Sequence, residues 1–219
     1  MEEVWDQLLD SVKQRCWQNA GMASRDVARA LLDAVDAALR ESAVSSLSLR
    51  DVARRAGVSH ASPAHFFGNK AGLLTAFAVR GFDGLAETVT AEVVASSPED
   101  GPATLAAIGR GYVRFAIAEP SLFEVMFRSD VLDVRDAALT YATQSAYALL
   151  TSTVEQCALE GALPGRDPAV VTVAAWSIVH GLATLWTSGW LAGRSPVDDP
   201  NQLAALVGDL FVGAVMRGR

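Results

Sequence analysis

The feature that most constrains this chain is the stretch from Leu47 to Leu74, where two short helical patterns meet at a tight turn. Ser48 is placed to cap the first helix. Gly57 follows the end of that helix, where a C-cap favours a positive φ. Ser59 can cap the second helix, and Pro63 lies near its first turn, where a missing N–H costs least. Helix, glycine turn and helix together predict a helix-turn-helix of the kind that reads DNA.

The charge of the chain is distributed in a way that suits nucleic acid. The whole sequence of 219 residues has a formal net charge of −7, which by itself argues against a DNA-binding protein. From Ser24 to Arg80, however, eight basic residues stand against five acidic ones, giving +3, so the remainder carries −10. Phosphate binding needs positive charge where the motif lies. The alternative is a chance pattern of surface residues.

The rest of the chain also has a helical pattern. Apolar residues recur at helical spacing, no segment alternates convincingly over the length of a strand, and no long repeat appears. The sequence therefore predicts an all-α fold. The main predicted helices cover residues 24–41, 70–95, 131–160, 168–191 and 200–216. Residues 1–23 form an N-terminal extension with an amphipathic pattern that predicts a further helix, with Met22 open as an alternative start.

The helix-turn-helix stretch resembles the DNA-binding motif of tetracycline-repressor (TetR) family regulators. The resemblance runs from Arg25 to about Phe82 and includes the passage Phe67 to Leu74. One position departs from the family pattern, because Ala64 stands where the middle of the recognition helix usually carries an aromatic residue. The resemblance implies an N-terminal three-helix DNA-binding domain at residues 24–70 and a C-terminal helical domain for ligand binding and dimerisation at residues 71–219.

The resemblance also implies which side chains contact DNA. The positions that match the family's contacts are Ser48, Arg50, His60, Ala61, Ser62, Ala64, His65 and Lys70. Polar groups at the start of a recognition helix reach base edges, and alanine methyl groups can contact thymine. Lys70 begins a helix, where the helix dipole disfavours a cation, so a nearby phosphate is the better explanation. For each residue, the alternative is an ordinary solvated side chain.

A second, looser resemblance covers the C-terminal half. Trp176 to Ala183 is similar to the Trp–x–x–x–His–Gly passage of one TetR subgroup, and two segments around Tyr112 and Phe123 are similar to the same subgroup. An apolar ligand pocket and an ordinary aromatic-rich core are built from the same residues, so both interpretations stay open. The candidate ligand-binding residues are Phe115, Phe123, Met126, Phe127, Trp176 and His180.

The segment from Ala169 to Gly193 contains no Asp, Glu, Lys or Arg and is long enough to cross a membrane. It also contains His180 and several hydroxyl side chains, and its flanks lack an excess of positive charge. A helix covered on all sides in a soluble dimer explains the same composition. We therefore predict a homodimer formed by the last two helices as a four-helix bundle, without a membrane partner.

The sequence contains no recognisable constellation for catalysis, for a metal ion or for a cofactor. It has no Walker loop, no nucleophile elbow and no CxxC pair. His60 and His65 lack the cysteine or carboxylate neighbours of a metal site. Cys16 and Cys157 lie far apart, which predicts a reduced cytoplasmic protein without a disulfide framework.

These observations predict a sequence-specific transcription regulator that is not an enzyme. We expect a repressor that binds a palindromic operator and leaves it when a small apolar or amphipathic inducer binds. The inducer would shift the long helix after the motif and change the spacing of two recognition helices, which must enter major grooves about 34 Å apart. The alternatives are an all-α enzyme, which would need convergent titratable groups, and a helical adaptor protein.

Overall fold

The computed structural model describes residues 22–216, with side chains from Ser24 to Val215, and this part of the chain is helical and without strands. A 3-10 helix at Val44–Ser46 lies between the first two α-helices. The helices are α1 (Met22–Leu39), α2 (Leu49–Arg55), α3 (Ser62–Phe67), α4 (Lys70–Ser96), α5 (Gly101–Ala118), α6 (Pro120–Met126), α7 (Ala137–Leu159), α8 (Pro168–Thr187) and α9 (Pro200–Met216). The all-α prediction is confirmed. The predicted helix within residues 1–23, and Cys16 with it, lies outside the described residues, apart from Met22 and Ala23, which are part of α1.

Two compact units divide the chain. The N-terminal unit comprises Met1–Phe77 and Arg128–Leu139, and the C-terminal unit comprises Ala78–Phe127 and Thr140–Arg219, each as far as it is described. Helix α4 passes from one unit into the other between Phe77 and Ala78. The chain crosses again after Phe127, so the loop before α7 belongs to the N-terminal unit.

The N-terminal unit is built on α1, which packs against α2 and α3. Leu31, Val35 and Ala38 recur at helical spacing and are almost completely buried. Val52 and Ala53 supply the buried face of α2. The short helices of the motif are therefore stabilised mainly by tertiary packing, because isolated helices of this length are marginal in water.

Helix α5 is the centre of the C-terminal unit and packs against α6, α8 and α9. Asp100 caps it, since its carboxylate accepts a hydrogen bond of 2.8 Å from the Ala103 N–H. The backbone of α5 also approaches α4 closely at Gly111, where an added Cβ would lie 2.8 Å from the Val89 Cα. Only glycine fits at such a distance without a shift of the backbone.

An ion-pair cluster joins the same two helices. Glu92 of α4 is only 6% exposed, and its carboxylate lies 2.9 Å from Arg110 and 2.6 Å from Arg114 of α5. Burial opposes ionisation of Glu92, but the hydrogen bond from Arg110 and the charge of Arg114 outweigh it and hold the pKa of Glu92 below its ordinary value. Two cations therefore stabilise the one buried carboxylate as an anion.

Two helix boundaries differ from those predicted. Helix α7 was expected from residue 131 but begins at Ala137, because Asp133 donates its N–H to the Thr75 hydroxyl and Asp136 caps the Leu139 N–H. Helix α8 was expected to reach residue 191 but ends at Thr187. The chain turns at Gly189, whose φ of 77° is left-handed.

Helix α8 is apolar and poorly covered. By length and composition Pro168–Thr187 is able to cross a membrane. An 18-residue stretch of this helix has a mean hydropathy of 1.6, yet only 22% of that stretch is buried. Its exposed apolar side chains include Val170, Val173 and Leu185. Such a surface needs a partner in water, and the length test by itself does not distinguish a lipid partner from a protein partner.

The close approach at Gly111 generates a prediction about stability. We expect Gly111→Ala to lower the free energy of unfolding by about 1–3 kcal/mol, because its Cβ meets the α4 backbone. Gly208→Ala is the matched control in α9, since its Cβ would lie at an ordinary 3.9 Å from Ala106. Denaturant unfolding of both variants measures the difference. Equal stability of the two variants would contradict the packing described.

Candidate DNA-binding and ligand-binding sites

Helix α2 is fixed at its start and along its polar face. Ser48 caps it as predicted, because its hydroxyl accepts a 3.1 Å hydrogen bond from the Asp51 N–H. The Asp51 carboxylate binds Arg54 and Arg55, and Arg55 also binds Glu41 at 2.7 Å. The hydrogen bonds from the two arginines hold the pKa of Asp51 below its ordinary value, and Arg55 does the same for Glu41. These pairs hold α2 near the end of α1.

The turn of the motif forms at Gly57, as predicted. Its φ of 67° is left-handed, and the N–H of Val58 closes the turn on the Ala53 carbonyl at 3.0 Å. A Cβ at Gly57 would meet nothing within 4 Å, so the requirement for glycine here is conformational rather than steric. The turn therefore sets the angle between α2 and the segment that follows.

Helix α3 begins later than predicted. Ser59 was expected to cap it, with His60 at its start, but the helix begins at Ser62, and its N-cap Ala61 provides no side-chain hydrogen bond. The Ser59 and Ser62 hydroxyls instead bind each other at 2.8 Å. Four of the predicted contact residues are exposed at this site, His60 and Ala61 in the turn and Ala64 and His65 in α3. Ser62 is half-buried.

The junction between α3 and α4 is unusually close. Gly68 has a φ of 75°, and the Asn69 side chain caps α4 by accepting a 2.9 Å hydrogen bond from the Gly72 N–H. An added Cβ at Gly72 would lie 2.0 Å from the Phe67 carbonyl oxygen. Gly72 is therefore required for the first turn of α4 to pack against the end of α3.

Lys70 has a structural partner that the sequence did not reveal. Its ammonium donates hydrogen bonds of 2.9 Å to the Val44 carbonyl and 3.1 Å to the Ser45 carbonyl, so it holds the 3-10 helix against the start of α4. These carbonyl oxygens, which carry partial negative charge, give Lys70 favourable partners within the protein itself. An ammonium has three donors, so a DNA phosphate contact by the third stays a prediction.

Arg50 and Ser48 lie exposed at the start of α2. Arg50 makes no hydrogen bond or ion pair within the described part of the chain. By contrast, Arg54 and Arg55 are paired with carboxylates a few residues away. Arg50 is therefore better placed than either of them to bind a DNA phosphate.

The candidate ligand site is a cluster of aromatic rings in the C-terminal unit, which we call the ring cluster. Four of its members, Phe123, Phe127, Trp176 and His180, are predicted ligand-binding residues. The centroids of neighbouring rings among them lie 4.6–6.3 Å apart. Tyr112 and Tyr147 complete the cluster, with Tyr112 against Phe123 and His180 and Tyr147 against Trp176. Such offset and edge-to-face contacts stabilise aromatic cores and also line apolar pockets.

One hydrogen bond joins two polar side chains of the ring cluster. The Tyr112 hydroxyl lies 2.8 Å from His180 Nδ1, although the two residues are 68 positions apart in sequence. Burial raises the pKa of Tyr112, against a smaller opposing effect of the Trp176 N–H, and burial lowers the pKa of His180. Both side chains are therefore neutral near pH 7.

The two other predicted ligand-binding residues face α4 instead. Phe115 is 2% exposed and packs against Gly84, and Met126 is 3% exposed and packs against Gly81. These contacts make them core residues that shape the surroundings of the ring cluster. Tyr112 and Tyr147 were not predicted as site residues, although Tyr112 recurs at helical spacing with Phe115 and could have been included.

Comparison with known proteins decides the family. A family model described as "Bacterial regulatory proteins, tetR family" matches residues 31–77, and another described as "Tetracyclin repressor-like, C-terminal domain" matches residues 105–210. Together they cover more than two thirds of the chain. The chain belongs to the TetR family. It is therefore a DNA-binding transcriptional regulator, and all of the predicted DNA contacts lie within the first matched region.

Solved structures agree with the TetR fold. A Rhodococcus sp. RHA1 protein of unknown function has 27% identity and a TM-score of 0.75, and the alignment covers 91% of this chain and 98% of that one. FadR from Bacillus subtilis, solved with stearoyl-CoA, has 16% identity and a TM-score of 0.71 over 85% and 98%. AibR, solved with isovaleryl coenzyme A and operator DNA, has 18% and 0.62 over 87% and 98%. Among curated proteins, none matches this chain significantly.

Regulators of the TetR family are not enzymes. Within the described residues, no three His, Cys, Asp or Glu side chains are grouped so as to hold a metal ion. Cys157 is buried and unpaired, and burial raises the pKa of its thiol.

Arg50 and Lys70 should behave differently when each is replaced by alanine. Arg50→Ala should weaken binding to all DNA sequences and reduce the salt slope of log K by about one unit without loss of stability. Lys70→Ala should lower the free energy of unfolding by about 1 kcal/mol, because two backbone carbonyls lose a charged donor at a half-exposed site. Salt titration of DNA binding and thermal unfolding measure the two effects.

Each of these two variants has one outcome that would contradict its prediction. If Arg50→Ala keeps the wild-type salt slope, Arg50 does not contact phosphate. If Lys70→Ala unfolds at the wild-type temperature, its hydrogen bonds to Val44 and Ser45 do not stabilise the motif.

Proposed function

We propose that this TetR regulator is a cytoplasmic homodimeric repressor that binds a palindromic operator and is released by a small apolar or amphipathic molecule. The observation that carries the proposal is the pairing of an exposed helix-turn-helix in one unit with a ring cluster in the other. The contact residues proposed for DNA remain Ser48, Arg50, His60, Ala61, Ser62, Ala64, His65 and Lys70.

The proposed dimer is supported by the uncovered apolar surface of the last two helices. Val170 is 65% exposed and Val173 54% on α8, while Leu206 is 49% and Leu210 74% exposed on α9. A DNA-binding regulator needs two copies of its motif to read a palindrome. A second copy of this chain is thus the occupant that serves the function, and packing of α8 and α9 as a four-helix bundle would cover this surface.

Gly181 offers a clean test of the dimer. An added Cβ at Gly181 meets nothing within 4 Å, so a side chain can leave the backbone here without a clash at its first atom. We expect Gly181→Arg to dissociate the dimer by placing a charge in an apolar interface, and Gly181→Ala to leave it intact. Ala183 is fully buried and would test folding instead. Sedimentation velocity at micromolar concentration measures the assembly state, and a wild-type monomer would refute the proposal.

The proposed inducer site is the ring cluster, which combines apolar walls with a few polar atoms, as small-molecule sites do. FadR and AibR, which share the fold, were solved with acyl-CoA molecules. They support an inducer with an apolar group. Phe127, a member of the cluster, directly precedes Arg128, where the chain crosses into the N-terminal unit. Movement of Phe127 on ligand binding would therefore be transmitted along the chain to the loop before α7.

Release requires that the inducer prefer the conformation that does not bind DNA. Equal affinity for both conformations would shift nothing, and a tenfold loss of operator affinity needs about 1.4 kcal/mol of preference. Burial of a few apolar groups is sufficient for that amount. The two recognition helices must span about 34 Å, so a small displacement along α4 is enough to misalign the second half-site.

Base reading by His60 and Ser62 tests the DNA side of the proposal. The DNA flanking the gene should contain a palindrome that the wild-type protein retards in a shift assay. His60→Ala and Ser62→Ala should each cost roughly 1–3 kcal/mol on this site and little on random DNA. Arg50→Ala is the control, since it should weaken both equally. If wild-type protein binds the flanking DNA no better than random DNA, a local operator is ruled out.

A further inference from the structure

The hydrogen bond between Tyr112 and His180 fixes which nitrogen of the imidazole carries the proton. The Tyr112 side chain is 6% exposed, and its hydroxyl has His180 Nδ1 at 2.8 Å as its partner. A buried phenol O–H needs an acceptor, and the neighbouring Trp176 indole can only donate. His180 Nδ1 must therefore accept. Because a neutral imidazole carries one proton, that proton lies on Nε2.

The Nε2–H of His180 is available to a ligand. It has no hydrogen-bond partner among the described residues. His180 is half-buried, and within the described residues Asp36 Oδ1 is the only side-chain oxygen or nitrogen that is both fully buried and unpartnered. Nε2 is consequently not sealed in the core. It is the ring nitrogen that Tyr112 does not bind, and the imidazole as a whole has its centroid 4.6 Å from that of Phe127 and 6.1 Å from that of Trp176.

The rings that contact His180 within the described residues are uncharged. Burial alone lowers its pKa, and no charged residue contributes to the shift. Its ring contacts are Tyr112 of α5, Phe123 of α6, Phe127 and Trp176. The arginines of α5, Arg110 and Arg114, are paired with Glu92, Glu124 of α6 is exposed, and α8 contains no charged residue.

These surroundings select against an ionised ligand. A carboxylate would lose its water here without gaining a cation, which is costly, and an ammonium group cannot accept from Nε2–H. A neutral hydrogen-bond acceptor has neither disadvantage, because it carries no charge to desolvate and can accept from Nε2–H. It would gain one hydrogen bond while its apolar part packs against the rings.

We propose that the ring cluster binds a neutral carbonyl compound, namely an ester, thioester or ketone joined to an apolar group, whose carbonyl oxygen accepts a hydrogen bond from His180 Nε2–H. This assignment rests on the proposed function, in which the ring cluster is the inducer site. Tyr112 acts as a positioning residue, because it holds His180 in the tautomer that donates.

The tautomer is tested directly by ¹⁵N NMR of the imidazoles in the full-length dimer. The chain has only three histidines, and His180→Phe assigns the signal. Between pH 7 and 8, His180 should be neutral with its proton on Nε2, and Tyr112→Phe should shift its signal toward a mixture of tautomers. A proton on Nδ1, or a protonated ring at pH 7, overturns the proposal.

Ligand class is tested with three probes of matched length: methyl decanoate, decanoate and decyl methyl ether, measured by equilibrium dialysis at pH 7.5. Wild-type protein should bind the ester about three- to tenfold more tightly than the ether, as one neutral hydrogen bond contributes. Decanoate should bind more weakly than the ester and gain affinity as the pH falls. His180→Phe should abolish the preference for ester over ether, while His180→Gln, which keeps a donor, should retain part of it.

The outcomes separate this proposal from the proposed function. Absence of ester binding, equal affinity for ester and ether, or decanoate binding at least as tight as the ester overturns the ligand class, while operator binding still stands. A ring cluster that binds the ester as expected without releasing the operator supports the ligand class and refutes induction at this site.

Discussion

Close packing against glycines of α4 is the constraint on which much of the structure depends. Gly72 allows the first turn of α4 to meet the Phe67 carbonyl, and Gly81 and Gly84 accept Met126 and Phe115 further along. One helix therefore carries the contacts that end the DNA-binding motif and the contacts that shape the ligand unit. A side chain at any of these positions would push a neighbour away, since the interior is close-packed.

In the C-terminal unit, a single helix contributes to two different features. Helix α8 supplies Trp176 and His180 to the ring cluster, and it also carries the exposed apolar surface proposed for the dimer. Trp176 itself is 37% exposed, so it takes part in the cluster and reaches the uncovered surface. A change in the packing of Trp176 would therefore alter both the ring cluster and the exposed apolar surface of α8.

Features that depend on residues close together in sequence were predicted well. Features that depend on contacts between distant parts of the chain were not. The cap at Ser48 and the left-handed turn at Gly57 depend on residues close together in sequence, and both are confirmed. The contact of Lys70 with carbonyls 25 and 26 positions away could not be read from spacing. The same is true of the Tyr112–His180 pair and of the late start of α7, because each depends on a partner that only the folded chain brings near.

Internal pairing of the motif's arginines has a consequence for how the protein finds its site. Arg29, Arg40, Arg54 and Arg55 all form ion pairs with nearby carboxylates, so the number of basic residues in the motif region overstates how many can bind phosphate. Because fewer cations are available, the affinity for non-specific DNA should be low. The acidic remainder of the chain is repelled by the same polyanion. The protein should therefore search for its operator by repeated dissociation and rebinding rather than by long sliding along the DNA.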